Sequence, residues 1–142
     1  MKIKFRAWDI ENEYMITSKQ GVFTALRNIM DITRQNDGYY NNGDLLKPNK
    51  NKYELMQFTG LHDKNGKEIY ESDVVEVTRE GILERGVVIF GSGCYFIKVK
   101  EHFLNSVTLL PLHECSRNDY KLKVIGNIYE NSDLLGEWIY EL

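Results

Sequence analysis

Alternating polar and apolar positions open the chain and predict a β-strand that begins at residue 3. Ile3, Phe5 and Ala7 would lie on one face of this strand, with basic residues between them on the other. The segment "EYMITSKQ" at residues 13–20 is a suitable hairpin partner, with the turn near Asn12. We expect this first strand to add to the edge of another sheet, of the same chain or of a neighbour.

A helical period replaces this alternation over residues 24–34. Side chains that would share one helix face recur at i, i+3, i+4 and i+7, and they are Leu26, Ile29, Met30 and Thr33. The pattern predicts a short amphipathic helix whose N-cap is Thr24 or a neighbour. Residues 35–52 are then rich in asparagine and glycine, which predicts an exposed linker in which Asn42-Gly43 closes a hairpin.

The rest of the chain has the alternation of several short strands separated by turns. Asn65-Gly66 predicts a hairpin with a type I′ turn, because both residues tolerate a positive φ. Asp73 is expected to accept backbone N–H groups in the turn before the next strand. Further strands are expected at residues 75–78, 87–90, 95–100, 107–112 and 122–129.

Turns and a short helix complete the expected element order. Glu80-Gly81 and the Gly-Ser-Gly segment at 91–93 are typical of hairpin turns, and residues 131–133 would cap a helical turn at Leu134-Leu135. The final "EWIYEL" would be a last strand or a docked tail. We therefore predict an α+β, mostly β protein, with an SH3-like or similar small curled β-barrel at residues 53–142. An N-terminal β/α segment with its linker would cover residues 1–52, and the two can form one compact unit.

Composition and charge limit the classes of function. Hydrophobic residues make up 42% and charged residues 27% of the 142 positions, which is ordinary for a globular protein. The net charge of −3 has the wrong sign for a protein that coats nucleic acid. Two cysteines without a CxxC pair, no apolar leader and no long apolar run predict a reduced, soluble, intracellular protein without a membrane partner.

Three blocks of the sequence resemble the YopX family, which bacteriophages and prophages encode. They are "KFRAWD" at 4–9, "LMQFTGLHDKNGKEIYESDVVE" at 55–76 and "VIGNIYEN" at 124–131, in the expected order. The resemblance implies a phage-encoded protein in the cytoplasm of a Gram-positive host, a largely β fold and no catalytic residues to carry over. It also implies a shared framework, whose signature residues we take to be Trp8, Asp9, Gly60, Asp63, Gly66, Asp73, Gly126 and Asn127.

Ser72 departs from the family pattern, which usually has glycine at this position. If the backbone needs a positive φ here, serine adds strain. If the position needs only a small side chain, serine serves as well.

Residue types that bind metals or act as nucleophiles are present, but not in a motif that we recognise. "DKNGKE" lacks the spacing of an EF-hand loop, and a hairpin turn explains its residues without calcium. Cys94, His102, His113 and Cys115 lack the close pair that anchors a zinc site. Cys94 also has no histidine near it in sequence, so it is a weak candidate for a nucleophile. We expect no metal and no cofactor.

Two pairs of carboxylates remain as candidates for acid chemistry. Glu71 and Asp73 would share a strand face, as would Asp9 and Glu11, but each pair lies beside a turn. Because carboxylates beside turns usually bind backbone or water, we expect a structural role and no enzymatic activity.

Two classes of function therefore remain open. The first is a non-catalytic accessory protein of a phage or prophage, which forms a homo-oligomer or binds a host or phage protein. Aromatic residues near termini and loops would anchor such an interface, unless they cover the protein's own core, and they are Trp8, Tyr39, Tyr40 and Trp138. The alternative is a nucleic-acid-binding small barrel with one basic face formed by Arg79, Arg85, Tyr95, Lys98 and Lys100.

Overall fold

Two antiparallel sheets, one of them a curled half-barrel, dominate the computed structural model and confirm the predicted mostly β, α+β class. The model describes residues 2–35, 52–101, 106–117 and 120–141; the side chains of 29–35, 101 and 137–141 lie outside this description. The chain divides into two compact units, Phe5–Met56 and a larger unit that combines Met1–Lys4 with Gln57–Leu142. The sequence had suggested a boundary after residue 52.

The strands of the described residues are numbered in chain order. They are β1 (Phe5–Asp9), β2 (Tyr14–Ile16), β3 (Tyr53–His62), β4 (Glu68–Tyr70), β5 (Asp73–Arg79), β6 (Ile82–Gly91), β7 (Cys94–Glu101), β8 (Ser106–Pro111) and β9 (Lys121–Asn127). The helices are α1 (Lys19–Gln35), α2 (Leu112–Cys115) and a C-terminal 3-10 helix at Ser132–Glu141. The strand orders are β2-β1-β3-β4 in the first sheet and β8-β7-β6-β5-β9 in the second.

The N-terminal hairpin forms as predicted, but its first strand is not an edge strand. β1 pairs antiparallel with β2, with Ala7 opposite Ile16, and it lies between β2 and β3 in the sheet order. Both of its edges are therefore occupied, and the expected addition to another strand takes place within the same chain, at β3, and not at a neighbouring chain. The predicted alternation also fails, because Ile3 is 67% exposed whereas Arg6 and Trp8 are buried.

Helix α1 begins five residues before the predicted segment. The hydroxyl of Ser18 accepts a hydrogen bond from the backbone N–H of Gly21 at 3.1 Å, which is the contact an N-cap side chain makes. Thr24, the predicted cap, lies inside the helix, and its hydroxyl donates to the carbonyl of Gln20 at 3.0 Å. Val22 and Ala25 are the buried side chains of the first turns. The expected side-chain positions of Ile29, Met30 and Thr33 lie outside the described residues.

Some predictions fall on residues that the structure does not describe. These include most of the linker at 36–51 with its Asn42-Gly43 turn, the aromatic residues Tyr39 and Tyr40, the side chain of Trp138, and His102.

The five-stranded sheet is a succession of antiparallel hairpins. β5 and β6 are joined by Glu80-Gly81, and β6 and β7 by Ser92-Gly93; all four residues have a positive φ, as a type I′ turn requires. The Gly-Ser-Gly segment is therefore part of a hairpin turn, as the sequence predicted. The predicted strand at 107–112 ends one residue earlier than expected, because Leu112 begins α2.

The inner face of this sheet forms the main core. Its strands alternate, as predicted, so that the inward positions carry Val75, Val77, Val88, Ile97, Val99, Leu110, Leu122 and Val124. Ile69, Leu112 and Cys115 pack in the same cluster. Full burial of an aliphatic side chain stabilises the fold by about 1.5–3 kcal/mol, so this cluster is the main apolar contribution in the larger unit.

The C-terminal segment covers one end of the opposite, outer face. There Val74 and Val87 are buried against Ile128, Leu134 and Leu135 of the C-terminal segment. The predicted helical turn at Leu134-Leu135 is confirmed as a 3-10 helical stretch, which ends at a kink where Gly136 has a φ of 58°. A second helical stretch after the kink contains most of "EWIYEL" in place of a last strand. Among the described residues, no helix has the length and apolar character needed to cross a membrane.

Candidate functional site

The carboxylate of Asp63 organises the most patterned segment of the chain. Its Oδ1 accepts the backbone N–H groups of Asn65 at 2.8 Å and Lys67 at 2.9 Å, which closes the turn between β3 and β4. Its Oδ2 accepts the N–H of Val124 on β9 at 3.0 Å. One side chain thus closes the hairpin and ties it to the second sheet.

The geometry of this turn differs from the predicted type I′ turn. Gly66 has a φ of +80°, but Asn65 does not have a positive φ. The N–H of Gly66 donates to the carbonyl of Asp63 at 3.0 Å, and the N–H of Asp63 donates to the carbonyl of Lys67 at 2.8 Å. The Asp63 carboxylate stabilises a turn that is longer than a two-residue type I′ turn. The chain therefore reverses direction at the predicted position, but through a different type of turn.

The hydrogen bonds of Asp63 also set its acidity. Burial alone raises the pKa of this carboxyl, but N–H donation from Val124, Lys67 and Asn65 outweighs burial and lowers the pKa below its ordinary value. Asp63 is therefore a buried anion held by backbone donors. It is a poor general acid at neutral pH, because it holds no proton to donate.

The segment before β5 combines a second buried carboxylate with a strained residue. Asp73, 1% exposed, accepts the N–H of Tyr70 at 2.8 Å, which confirms the predicted turn role. Ser72 has a φ of +66°, so the position does require the left-handed region. Its N–H donates to Val88 at 2.9 Å and its carbonyl accepts from Ile128 at 3.0 Å, which fixes the strained backbone between two neighbouring segments.

The closing motif depends on a close approach of Gly126 and Asn131. A Cβ on Gly126 would lie 2.3 Å from Oδ1 of Asn131, so only glycine leaves room for that side chain. Oδ1 of Asn131 accepts the N–H of Asn127 at 3.2 Å. Oδ1 of Asn127 in turn accepts the N–H groups of Tyr129 at 3.0 Å and Glu130 at 2.8 Å. The motif is a network that turns the chain after β9.

The remaining signature residues have equally structural positions. Trp8 is buried, which agrees with a core role rather than an exposed interface anchor. Asp9 accepts the N–H groups of Glu11 at 3.0 Å and Asn12 at 2.8 Å, and hydrogen bonds from Asn12 lower its pKa. Gly60 has a φ of +84° where the β3–β4 register shifts. Each signature residue therefore has a role in shaping the backbone or the core.

The other carboxylates of the candidate acid pairs also have structural partners. Glu71 accepts the N–H of Gln57 at 2.9 Å, and Glu11 lies 3.5 Å from the ammonium of Lys52.

The cysteines and histidines do not come together within the described residues. Cys115 is buried, and burial raises the pKa of its thiol, which disfavours the nucleophilic thiolate. Cys94 is half-buried beside the hairpin turn, and His113 is exposed. In the described part of the chain, no three metal-ligating side chains of the His, Cys, Asp and Glu types form a group.

Two surface clefts lie within single units. The first, of about 380 Å³, has no charged residue in its lining, which consists of Tyr14, Met15, Ile16, Thr17, Ser18, Gly21, Thr24 and Tyr53. The second, of about 180 Å³, is lined by Arg79, Glu80, Ile82, Glu84 and Tyr120. Its main charges are already paired, since Arg79 donates to Glu84 at 2.8 and 3.0 Å.

The five residues of the predicted nucleic-acid face do not share a face. Strand register places Arg79 and Tyr95 on the inner side, in line with Val77 and Ile97 respectively. Arg85, Lys98 and Lys100 have the opposite parity and lie on the outer face. The predicted face was wrong within β7 itself, because Tyr95 lies three and five residues from Lys98 and Lys100 and so faces the other side. It was also wrong between strands, because Arg79 and Arg85 have opposite parity.

The end of the outer face that lies away from the C-terminal segment gathers basic and aliphatic side chains from four strands. We call this surface the outer patch and define it as Leu83, Arg85, Lys98, Lys100, Val107, Leu109, Lys121 and Lys123. Across the ladders, Lys98 is opposite Leu109 and Lys100 is opposite Val107. Because directly opposite Cβ atoms lie about 4.5–5.5 Å apart, these side chains are immediate neighbours.

The electrostatic character of the outer patch is positive. Glu76 lies within it, opposite both Arg85 and Lys123, and accepts from Arg85 at 2.9 and 3.1 Å. Lys121 and Lys123 are exposed on β9 and form no ion pair with the described residues. Neither lysine was among the residues predicted for a basic face, although "KLKV" at 121–124 alternates in the same way as the strands predicted from the sequence.

Comparison with known proteins agrees with the architecture. Residues 4–136 match the family model described as YopX protein. The fold resembles the crystal structure of protein EF1440 from Enterococcus faecalis, with a TM-score of 0.55, 22% identity, and coverage of 95% of this chain and 99% of that one. Protein yopX from Bacillus subtilis has a TM-score of 0.49 and 21% identity, with 92% and 96% covered. No curated protein gives a significant match. Since the family match spans nearly the whole chain, the protein belongs to the YopX family.

Proposed function

We propose that this protein binds another polypeptide chain through the outer patch and acts without catalysis. The observation that carries the proposal is the exposure of three aliphatic side chains on one sheet face: Leu83 is 59%, Val107 45% and Leu109 49% exposed. Leu83 is on β6 and the other two are on β8, with the lysines of β7 between them. Aliphatic side chains grouped on a surface and surrounded by polar ones are typical of a binding site.

The distribution of the polar groups supports a binding role. The buried carboxylates of Asp63 and Asp73 are engaged by backbone N–H groups, so they serve the fold. On the outer patch, in contrast, Leu83 and Leu109 are exposed, and so are Lys121 and Lys123. The bound chain would be a different protein or a second copy of this one.

Nucleic acid is the second candidate, because the outer patch carries Arg85, Lys98, Lys100, Lys121 and Lys123. Proteins that bind single strands combine such charge with exposed aromatic rings on which bases stack. The exposed large apolar side chains of the outer patch are aliphatic, and Phe96 of the same face is half-buried. This composition favours a polypeptide.

Comparative affinity purification tests the proposal. Tagged wild type, Leu83→Ser/Leu109→Ser and the control Ile3→Ser/Ile10→Ser would be produced in cells that carry the gene, and co-purifying proteins quantified by mass spectrometry. The control removes two equally exposed isoleucines outside the five-stranded sheet, which are 67% and 45% exposed. Because all four side chains are exposed, we expect unchanged folding.

The expected result is at least one protein that is recovered with wild type and control and depleted from the outer-patch variant. Light scattering of the same samples reports self-association, which the outer-patch variant should lose if the bound chain is a second copy. Identical recoveries in all three, together with a monomer that is insensitive to the substitutions, would contradict the proposal.

A further inference from the structure

We propose that the chain bound by the outer patch is an acidic segment that carries apolar side chains among its carboxylates. This inference rests on the proposed function and adds the chemistry of the partner. It follows from charge complementarity, since the patch has five basic residues and encloses Glu76. An anionic partner would gain favourable contacts along the patch and associate faster.

The lysines of β9 carry most of this argument. Lys121 is opposite Thr78 and Lys123 is opposite Glu76, whose carboxylate is already hydrogen-bonded to Arg85. Lys121 and Lys123 thus present their ammonium groups to solvent on the same side of the sheet. They can contact carboxylates of a partner without first breaking an ion pair to a described residue.

The aliphatic residues of the outer patch indicate that the partner also carries apolar side chains. Val107 and Leu109 are opposite Lys100 and Lys98, so apolar and basic groups alternate across the β7–β8 ladder. A purely acidic polymer would satisfy the lysines but leave the exposed aliphatic side chains in water. A segment in which apolar and acidic residues are interspersed matches both.

A second copy of this chain does not match the patch when the same surface is used on both sides. A two-fold symmetric contact places each patch against itself, which would bring lysines of one copy towards lysines of the other. Like charges brought together disfavour such a contact. The structure therefore favours a partner with a different, acidic surface.

Fluorescence anisotropy with synthetic probes tests this inference on the full chain. The main probe is a labelled peptide composed of leucine and glutamate in irregular alternation. Two matched peptides replace glutamate with glutamine or leucine with serine, and an oligothymidylate reports binding of nucleic acid. The protein variants are Lys121→Glu/Lys123→Glu and the control Lys2→Glu/Lys19→Glu, which has the same net charge and lies outside the five-stranded sheet.

We expect the leucine–glutamate peptide to bind more tightly than either matched peptide, and salt to weaken its binding. Lys121→Glu/Lys123→Glu should reduce its affinity by roughly tenfold, because each exposed ion pair makes only a modest contribution. The control should bind as wild type does, and circular dichroism verifies that both variants fold.

Three results would overturn the inference. Equal affinity for the leucine–glutamine peptide would remove the acidic requirement and leave the proposed function standing. Equal affinity for the serine–glutamate peptide together with tighter binding of oligothymidylate would indicate a general anion site of the nucleic-acid class, against both proposals. Absence of binding by all the peptides would overturn the acidic segment alone, since the co-purification comparison tests the proposed function separately.

Discussion

At the scale of single residues, the Asp63 carboxylate makes a contribution to the free energy of unfolding that a single substitution can measure. Asp63→Asn keeps the shape but removes one acceptor oxygen, so an N–H among those of Asn65, Lys67 and Val124 loses its partner. We expect the free energy of unfolding at pH 7 to fall by about 1–3 kcal/mol, as measured by urea denaturation. Asp133→Asn, at an exposed position, is the control and should change it by less than about 0.5 kcal/mol.

The pH dependence of this difference has a defined sign. The pKa of Asp63 is lowered in the folded state, so its stabilising effect is complete above the unfolded pKa of about 3.9. It is lost as the pH falls through the folded pKa. The gap between wild type and Asp63→Asn should therefore narrow below about pH 4, and a gap that widens on acidification would contradict this assignment.

Ser72 offers a prediction of the opposite sign. A residue with a Cβ in the left-handed region destabilises the folded state by roughly 1–2 kcal/mol. Replacement by glycine removes this strain, but it also increases the conformational entropy of the unfolded chain, which offsets part of the gain. Ser72→Gly should therefore raise the free energy of unfolding by about 0.5–1 kcal/mol in denaturant titrations. Ser132→Gly, at a residue outside the left-handed region, should not stabilise the protein. Destabilisation by Ser72→Gly would show that the serine side chain has a role that outweighs its strain.

At the scale of elements, the turn after β9 depends on one missing Cβ. In Gly126→Ala the new methyl group would collide with Asn131, whose nearest atom is 2.3 Å away, and displace the acceptor of Asn127 N–H. We expect a loss of about 1–3 kcal/mol in the free energy of unfolding. Gly91→Ala is the matched control, because a Cβ there meets no atom within 4 Å.

A double-mutant cycle identifies the cause of that loss. Asn131→Gly removes the whole side chain that a Cβ on Gly126 would meet, so Gly126→Ala should cost much less in that background. Equal costs in both backgrounds would mean that the close approach to Asn131 does not explain the glycine.

The elements differ in how far the sequence determines them. The β5–β6 and β6–β7 hairpins were predictable, because local alternation and the turn residues Glu80-Gly81 and Ser92-Gly93 agree with each other. The position of the turn after β3 was predicted correctly, but its type was not. The turn depends on the Asp63 carboxylate, which also accepts the N–H of Val124, 61 positions along the chain. A contact of that separation leaves no local pattern at Asn65-Gly66.

At the scale of the whole molecule, strand order and register determine which residues share a surface. Arg79 and Arg85 looked equivalent in the sequence, yet they lie on opposite faces, because the two-residue turn between β5 and β6 places Arg79 opposite Ile82 and Arg85 opposite Glu76. Lys121 and Lys123 join Arg85 only because β9 pairs with β5. The outer patch could therefore be recognised only after the strands had been paired.

Under the proposed function, the residues that support the fold and the residues that would bind a partner form two separate groups. Asp63→Asn represents the first group, and Leu83→Ser/Leu109→Ser represents the second. The two variants should have opposite defects when thermal unfolding and recovery of co-purifying proteins are measured on the same preparations, below the unfolding temperature of both.

That paired measurement is the most direct test. We predict that Asp63→Asn unfolds at a lower temperature but recovers the wild-type partners, whereas the outer-patch variant unfolds as wild type does and loses them. Wild-type recovery by the outer-patch variant, combined with loss of partners by folded Asp63→Asn, would assign the binding role to the signature segment and contradict the account.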